Sequence, residues 1–215
     1  MHQARLPILI FAILAAIAPP RTTLACEYTL TDTADFTIIK RSGGITLYER
    51  WYSFGPRQFA REIKATFNVR ATPAAAVNLI KDELRGKKWN HNSDSYKVVD
   101  SELNTWICYI QYDLPWPVNN QDCVLQYHHY DSAGRLVIDF KGIDHTLFPI
   151  KNRVQRIAEI SGRWIFSETA EGTIVDYYIT TTQSKTLPGW LTDPIIRKNL
   201  IETMDSFRKI LENDL

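Results

Sequence analysis

Residues 103–130 read LNTWICYIQYDLPWPVNNQDCVLQYHHY, and the way this stretch turns back on itself decides the architecture. Leu103–Asp113 and Asp122–Tyr130 are rich in Ile, Val, Tyr and Trp, side chains that suit a pleated surface, and each reads as a strand. Pro115 and Pro117 stand between them. Proline has no backbone N–H to give to a ladder, so pairing must end where they begin, and the two strands form an antiparallel hairpin. A loop centred near Pro117-Val118 pairs residues whose numbers sum to about 235, which sets Cys108 opposite Tyr127 and Cys123 opposite Tyr112. Side chains alternate along a strand. Trp106, Cys108, Ile110 and Tyr112 therefore share a face, with Cys123, Leu125, Tyr127 and His129 beside them. That face is bulky and almost uncharged, so it is the inner one.

Upstream of the hairpin, Phe36–Lys40 and Ile45–Trp51 flank the turn Ser42-Gly43-Gly44 and read as a second hairpin, with Phe59–Val69 as a further strand. Thr72-Pro73 opens a helix, Thr as the cap and Pro at the first helical position. Ala76, Val77, Ile80 and Leu84 share one face at helical spacing, and Gly86 is a natural stop. The spacing predicts one amphipathic helix over 73–85. Tyr96–Ser101, Leu136–Lys141, Arg153–Ile160, Arg163–Glu168 and Thr173–Thr181 read as strands broken by Asn, Asp, Gly and Pro. Such sequential strands should pair as an antiparallel meander. Asp193-Pro194 then opens a long helix in which Ile196, Leu200, Met204, Phe207 and Leu211 recur at steps of three and four. Two readings fit that stripe: ordinary packing on a solid core, or a helix laid across a curved sheet to close a cavity.

The chain has 215 residues, with 25 Lys+Arg and 24 Asp+Glu. Arg5, the uncharged apolar run Leu6–Ala18 and the small-residue site Thr23-Leu24-Ala25 have the layout of a secretory signal. The run is too short for a permanent span, which needs roughly twenty residues. Residues 1–25 are expected to be a signal peptide and 26–215 a single domain, exported and periplasmic. An uncleaved anchor helix is the other use of such a leader. Arg5 and Arg21 leave with the leader, so the mature balance is 23 − 24 = −1. Nothing basic remains to hold a polyanion, and nucleic acid is excluded as a partner. Cys26 follows the cleavage site directly. It is either a lipidated membrane anchor or simply the first residue of the mature chain. Six Trp and ten Tyr suit a packed β-rich domain and an aromatic-lined pocket.

Three local patterns carry a family resemblance. Gly44 followed by Ile45-Thr46-Leu47-Tyr48-Glu49-Arg50 resembles the opening strand "gly-ile-x-val-tyr-x-arg" of START lipid-transfer domains. Leu114-Pro115-Trp116-Pro117-Val118-Asn119-Asn120-Gln121-Asp122 resembles their "x-pro-trp-pro-val-x-x-arg-asp" hairpin. Gly162-Arg163-Trp164, Gly172-Thr173 and Leu187-Pro188-Gly189-Trp190-Leu191 resemble their last strands and the lead-in to the final helix. The resemblance runs from about residue 30 to the C-terminus. It implies an α+β helix-grip fold: a curved antiparallel sheet wrapped around a long C-terminal helix, with an internal hydrophobic cavity. It implies a lipid or other apolar small molecule as the ligand, a membrane surface as a further partner, and a monomer. The wall is expected to include Trp106, Cys108, Ile110, Tyr112, Leu125, Tyr127, Leu200, Met204 and Phe207. Gln121 stands where the family has Arg, which puts a polar role at that corner in doubt. The stations where several members hold a buried acid–Arg pair look like Cys108 and Tyr127 here, so a more apolar pocket is implied.

No catalytic or metal signature stands out. His128 and His129 are strand neighbours and point to opposite faces. No phosphate loop, nucleophile elbow or zinc helix motif is found, and no cofactor is expected. Arg156 and Glu159 read as one solvent-facing charge and one with a cross-strand partner. Asp176 reads as a buried anchor or as a surface charge. Three functions compete: a non-enzymatic carrier or sensor of a lipid, an enzyme resembling the aromatase/cyclases of the same superfamily, and a ligand-free interaction module. The second needs placed acids or bases, and the inward face offers only Tyr, Cys and one His.

Overall fold

The computed structural model describes residues 35–55, 58–99, 102–114, 119–182 and 189–213. The expected signal peptide 1–25, Cys26 and the hairpin tip 115–118 lie outside them. Among the described residues ten strands and three helices follow one another as β1 (Thr37–Ser42), β2 (Ile45–Gly55), β3 (Gln58–Val69), α1 (Pro73–Lys81), α2 (Glu83–Trp89), β4 (Ser93–Val99), β5 (Thr105–Tyr112), β6 (Gln121–Ser132), β7 (Arg135–Gly142), β8 (Gln155–Arg156), β9 (Ile160–Thr169), β10 (Gly172–Thr182) and α3 (Gly189–Asn213). The sheet runs in the order β1-β2-β3-β10-β9-β7-β6-β5-β4, and it curves around α3 in the helix-grip arrangement.

The strands that follow the helices pair as the expected antiparallel meander, β4-β5-β6-β7-β9-β10, with β8 off that path. After β3 the chain crosses through α1 and α2 to the far edge at β4. It then steps back strand by strand until β10 pairs with β3. The expected strand 153–160 shrinks to β8, two residues that pair in parallel with Gln121 and Asp122. Arg153 breaks the extended chain with φ 64°. The returning segment also lies so close to β7 that a Cβ on Gly142 would meet the Ala158 carbonyl oxygen at 2.2 Å.

The expected helix over 73–85 is two helices that meet at Asp82. Thr72 caps α1 by accepting from the Ala75 N–H at 3.2 Å, with Pro73 at its first position. Asp82 is extended (φ −85°, ψ 110°), and its carboxylate caps α2 by accepting from the Arg85 N–H at 2.8 Å. The break turns Leu84 outward, 81% exposed, although its spacing from Ile80 suggested the apolar face. Gly86 is not a stop. It sits inside α2 because the Tyr96 ring lies against it, 2.3 Å from where a Cβ would be.

The central hairpin also needs a correction. Trp106 pairs with Tyr127, Cys108 with Leu125, Ile110 with Cys123 and Tyr112 with Gln121. These numbers sum to 233, two less than expected. A slip of two keeps every side chain on its face. The inner face is therefore as expected although the loop centre was misplaced. Cys108 and Cys123 now lie two rows apart, or about 6.6 Å along the strands in addition to the gap of about 4.8 Å between them, which is beyond disulfide reach. Both are free and buried. Burial pushes both thiols up, Cys123 to about 12. Iodoacetamide at pH 8 should leave both unlabelled in the native protein, because almost no thiolate exists below those values. Both should label in denaturant without a reductant. A linked 108–123 peptide would contradict the register.

α3 begins at Gly189 and carries Pro194 within it, rather than opening at Asp193-Pro194. Met204, Phe207 and Leu211 are buried, Leu200 is half-buried and Ile196 is 40% exposed. Phe207 wedges between Trp89 and Trp164, with ring centroids 5.1 and 5.0 Å away. This aromatic knot makes a solid core under the C-terminal half of α3. Among the described residues no helix is long and apolar enough to cross a membrane.

Candidate ligand cavity

A cavity of about 700 Å³ opens between the sheet and the N-terminal half of α3. Strands β5 and β6 contribute Ile110, Tyr112, Leu125 and Tyr127. The far side of the sheet adds Ile63, Phe140, Trp164, Tyr177 and Ile179, and α3 covers the space with Ile195, Ile196, Leu200 and Met204. Of the residues expected on the wall, Ile110, Tyr112, Leu125, Tyr127, Leu200 and Met204 are there. Trp106, Cys108 and Phe207 are not. Each is fully buried in packed core. Trp106 stacks on Tyr127 at 5.0 Å, and the Lys81 ammonium lies 4.6 Å from its ring, so protein fills the space under that row. Phe207 is one turn past Met204, inside the aromatic knot. Sharing a face with the wall is not the same as facing the void.

The polar part of the wall was mostly missed. Arg61, on β3, is 7% exposed. Its Nε donates to Glu49 on β2, and its Nη1 donates to the Asp193 carboxylate on α3 at 2.8 Å. Arg197, one turn further along α3, lies 3.5 Å from Asp193 and 3.6 Å from Glu49. Trp51 covers the Arg61 guanidinium at 5.6 Å. The sequence did hold a signal for Arg61. It has the inward parity of Ile63, Ala65, Phe67 and Val69 on one strand, all of them buried.

Of Arg156 and Glu159, Arg156 has the expected cross-strand partner, although it lies on a strand of only two residues. It reaches Asp122 with two bonds, Nε to Oδ1 at 2.7 Å and Nη2 to Oδ2 at 3.1 Å, and it also donates to the Phe148 carbonyl at 3.0 Å. The two side chains are 7% and 1% exposed. The bond to Asp122 raises the Arg156 pKa. So Gln121 does not leave the corner without a cation: Arg156 supplies one from another strand. Asp176 is half-buried and sits outside the cavity wall, accepting from Thr66 Oγ1 at 2.6 Å with Lys64 at 3.0 Å.

Burial pushes the phenols of Tyr112, Tyr127 and Tyr177 well up, so they stay neutral donors. Among the described residues no three His, Cys, Asp or Glu side chains gather to hold a metal. The arrangement can enclose an apolar molecule and offer it a few hydrogen bonds at one end.

Residues 52–214 match the family described as the START domain. An uncharacterized protein of Pseudomonas aeruginosa is 26% identical over 141 residues, 64% of this chain and 69% of that one. The crystal structure of the STAR-related lipid transfer protein of Xanthomonas axonopodis superposes with a TM-score of 0.71 at 20% identity, covering 82% of this chain and 98% of the solved one. The Zhui aromatase/cyclase of Streptomyces superposes at 0.52 and 14% identity, covering 71% and 94%. At these identities the likeness is one of fold. The family match runs from β2 through α3, over the strands and helices that build the cavity, and the chain belongs to the START domain family.

Proposed function

We propose that this protein carries or senses a lipid or another apolar small molecule in the cavity and does no chemistry on it. The observation that carries the reading is the cavity of about 700 Å³, walled largely by aromatic and aliphatic side chains under α3. That is the size and lining of a small-molecule site. Against an aromatase/cyclase-like role, a general acid or base works best near the ambient pH. The wall tyrosines are held far above it, and Arg61 and Arg156 are tied to carboxylates. Native mass spectrometry of the purified protein tests the proposal. A co-purifying lipid mass that is released by organic solvent is expected. A protein that stays empty after incubation with a lipid extract would favour the ligand-free interaction module.

A further inference from the structure

Two residues of the cavity wall have buried side-chain nitrogen atoms with no hydrogen-bond partner among the described residues, Arg61 Nη2 and Trp89 Nε1. Both are donors. No buried side-chain acceptor on the wall is left unmatched among the described residues. Trp89 stands edge-on to Phe207 and Trp164 in the aromatic knot, whereas Arg61 lies at the other end of the cavity, beside Asp193. A buried donor on a charged group is the more costly of the two to leave unmatched. The wall therefore asks its ligand for an acceptor, placed near Arg61.

The charges around Arg61 define that acceptor. Arg61 and Arg197 are balanced by Glu49 and Asp193, and Arg156 is balanced by Asp122. No surplus positive charge remains among these groups. A carboxylate or phosphate at Nη2 would bring an unbalanced charge into a poorly solvated site, next to two carboxylates. A carbonyl oxygen would accept the N–H without that penalty.

We propose that Arg61 is the polar anchor of the bound lipid, and that its Nη2 donates to an uncharged ester or amide carbonyl rather than to an anionic head. The proposal rests on the carrier reading and names the ligand class within it. The test uses matched pyrene-labelled long chains that end in a methyl ester, a primary amide, a carboxylate or a plain hydrocarbon. Their affinities are measured for the wild-type protein and for Arg61→Lys. Lysine keeps the charge facing Glu49 and Asp193 but lacks the guanidinium fork. The wild type should bind ester and amide roughly tenfold or more tighter than the hydrocarbon, with the carboxylate also weaker. Arg61→Lys should bind ester, amide and hydrocarbon with equal affinity. Hydrocarbon and ester binding equally to the wild type, or the carboxylate binding tightest, would overturn the anchor and leave the carrier intact. An ester preference that survives in Arg61→Lys would also overturn it. If no probe binds at all, the carrier reading itself falls. Should the lysine variant fail to fold, the order of the wild-type affinities decides by itself.

Discussion

Replacing Met204 by tryptophan is expected to abolish lipid uptake while leaving the melting temperature near the wild-type value. Met204 is 1% exposed and lies on α3 between Leu200 and the aromatic knot. A larger side chain in a filled core forces neighbours off their rotamers and costs about 1–3 kcal/mol. Here the space next to the side chain is a cavity of about 700 Å³, so the indole can occupy room that the ligand would otherwise take. Thermal unfolding and titration with a fluorescent lipid, run on the same variant, separate the two cases. A large drop in melting temperature, in a protein whose wild type takes up no lipid, would mean that the space under α3 is core. It would also remove the basis for the carrier.

The Asp122–Arg156 pair should show the largest effect on stability. Both side chains are almost fully buried, and the guanidinium holds both carboxylate oxygens and the Phe148 carbonyl. Removing one partner strands the other charge, so Asp122→Ala and Arg156→Met should each lose about 3–5 kcal/mol in urea unfolding. The double variant Asp122→Leu/Arg156→Met should be less damaged than the sum of the two, because it leaves no buried charge behind. If each single variant stays within about 1 kcal/mol of wild type, the pair is solvated and does not hold β8 to β6.

Much of this fold is legible in the chain because its signals are local. Pro115 and Pro117 end a ladder, Thr72-Pro73 starts a helix, and the stripe through Leu200, Met204 and Phe207 needs a partner surface. The hairpin faces survive a wrong loop centre because an error of two preserves parity. What is hard to read depends on distant neighbours. Gly86 looks like a stop until the Tyr96 ring is placed against it. β8 is extended only because it meets Gln121 and Asp122. The cavity was legible as an apolar face but not in its extent. Trp106, Cys108 and Phe207 have the right parity and lie where other side chains fill the volume. Arg61 is readable by period two, while Arg156 is legible only as one of two candidates for a cross-strand partner, and the third dimension supplies Asp122 as that partner.

The pairing of β3 with β10 sets a condition on how the molecule assembles. Val69 meets Thr173 and Ala60 meets Thr182, so this joint ties together segments more than a hundred residues apart. Closing such a long loop precedes any return from the contact, and topologies dominated by distant pairings fold slowly. The hairpin of β1 and β2 with β3 leaves the ribosome early, but its open edge has to wait for the last strand of the sheet. Only then can α3, which follows that strand, settle over the inner face. The chain therefore has no route to a closed cavity by instalments: α3 follows β10 in the chain, and it can cover the inner face only after the seam between β3 and β10 has formed.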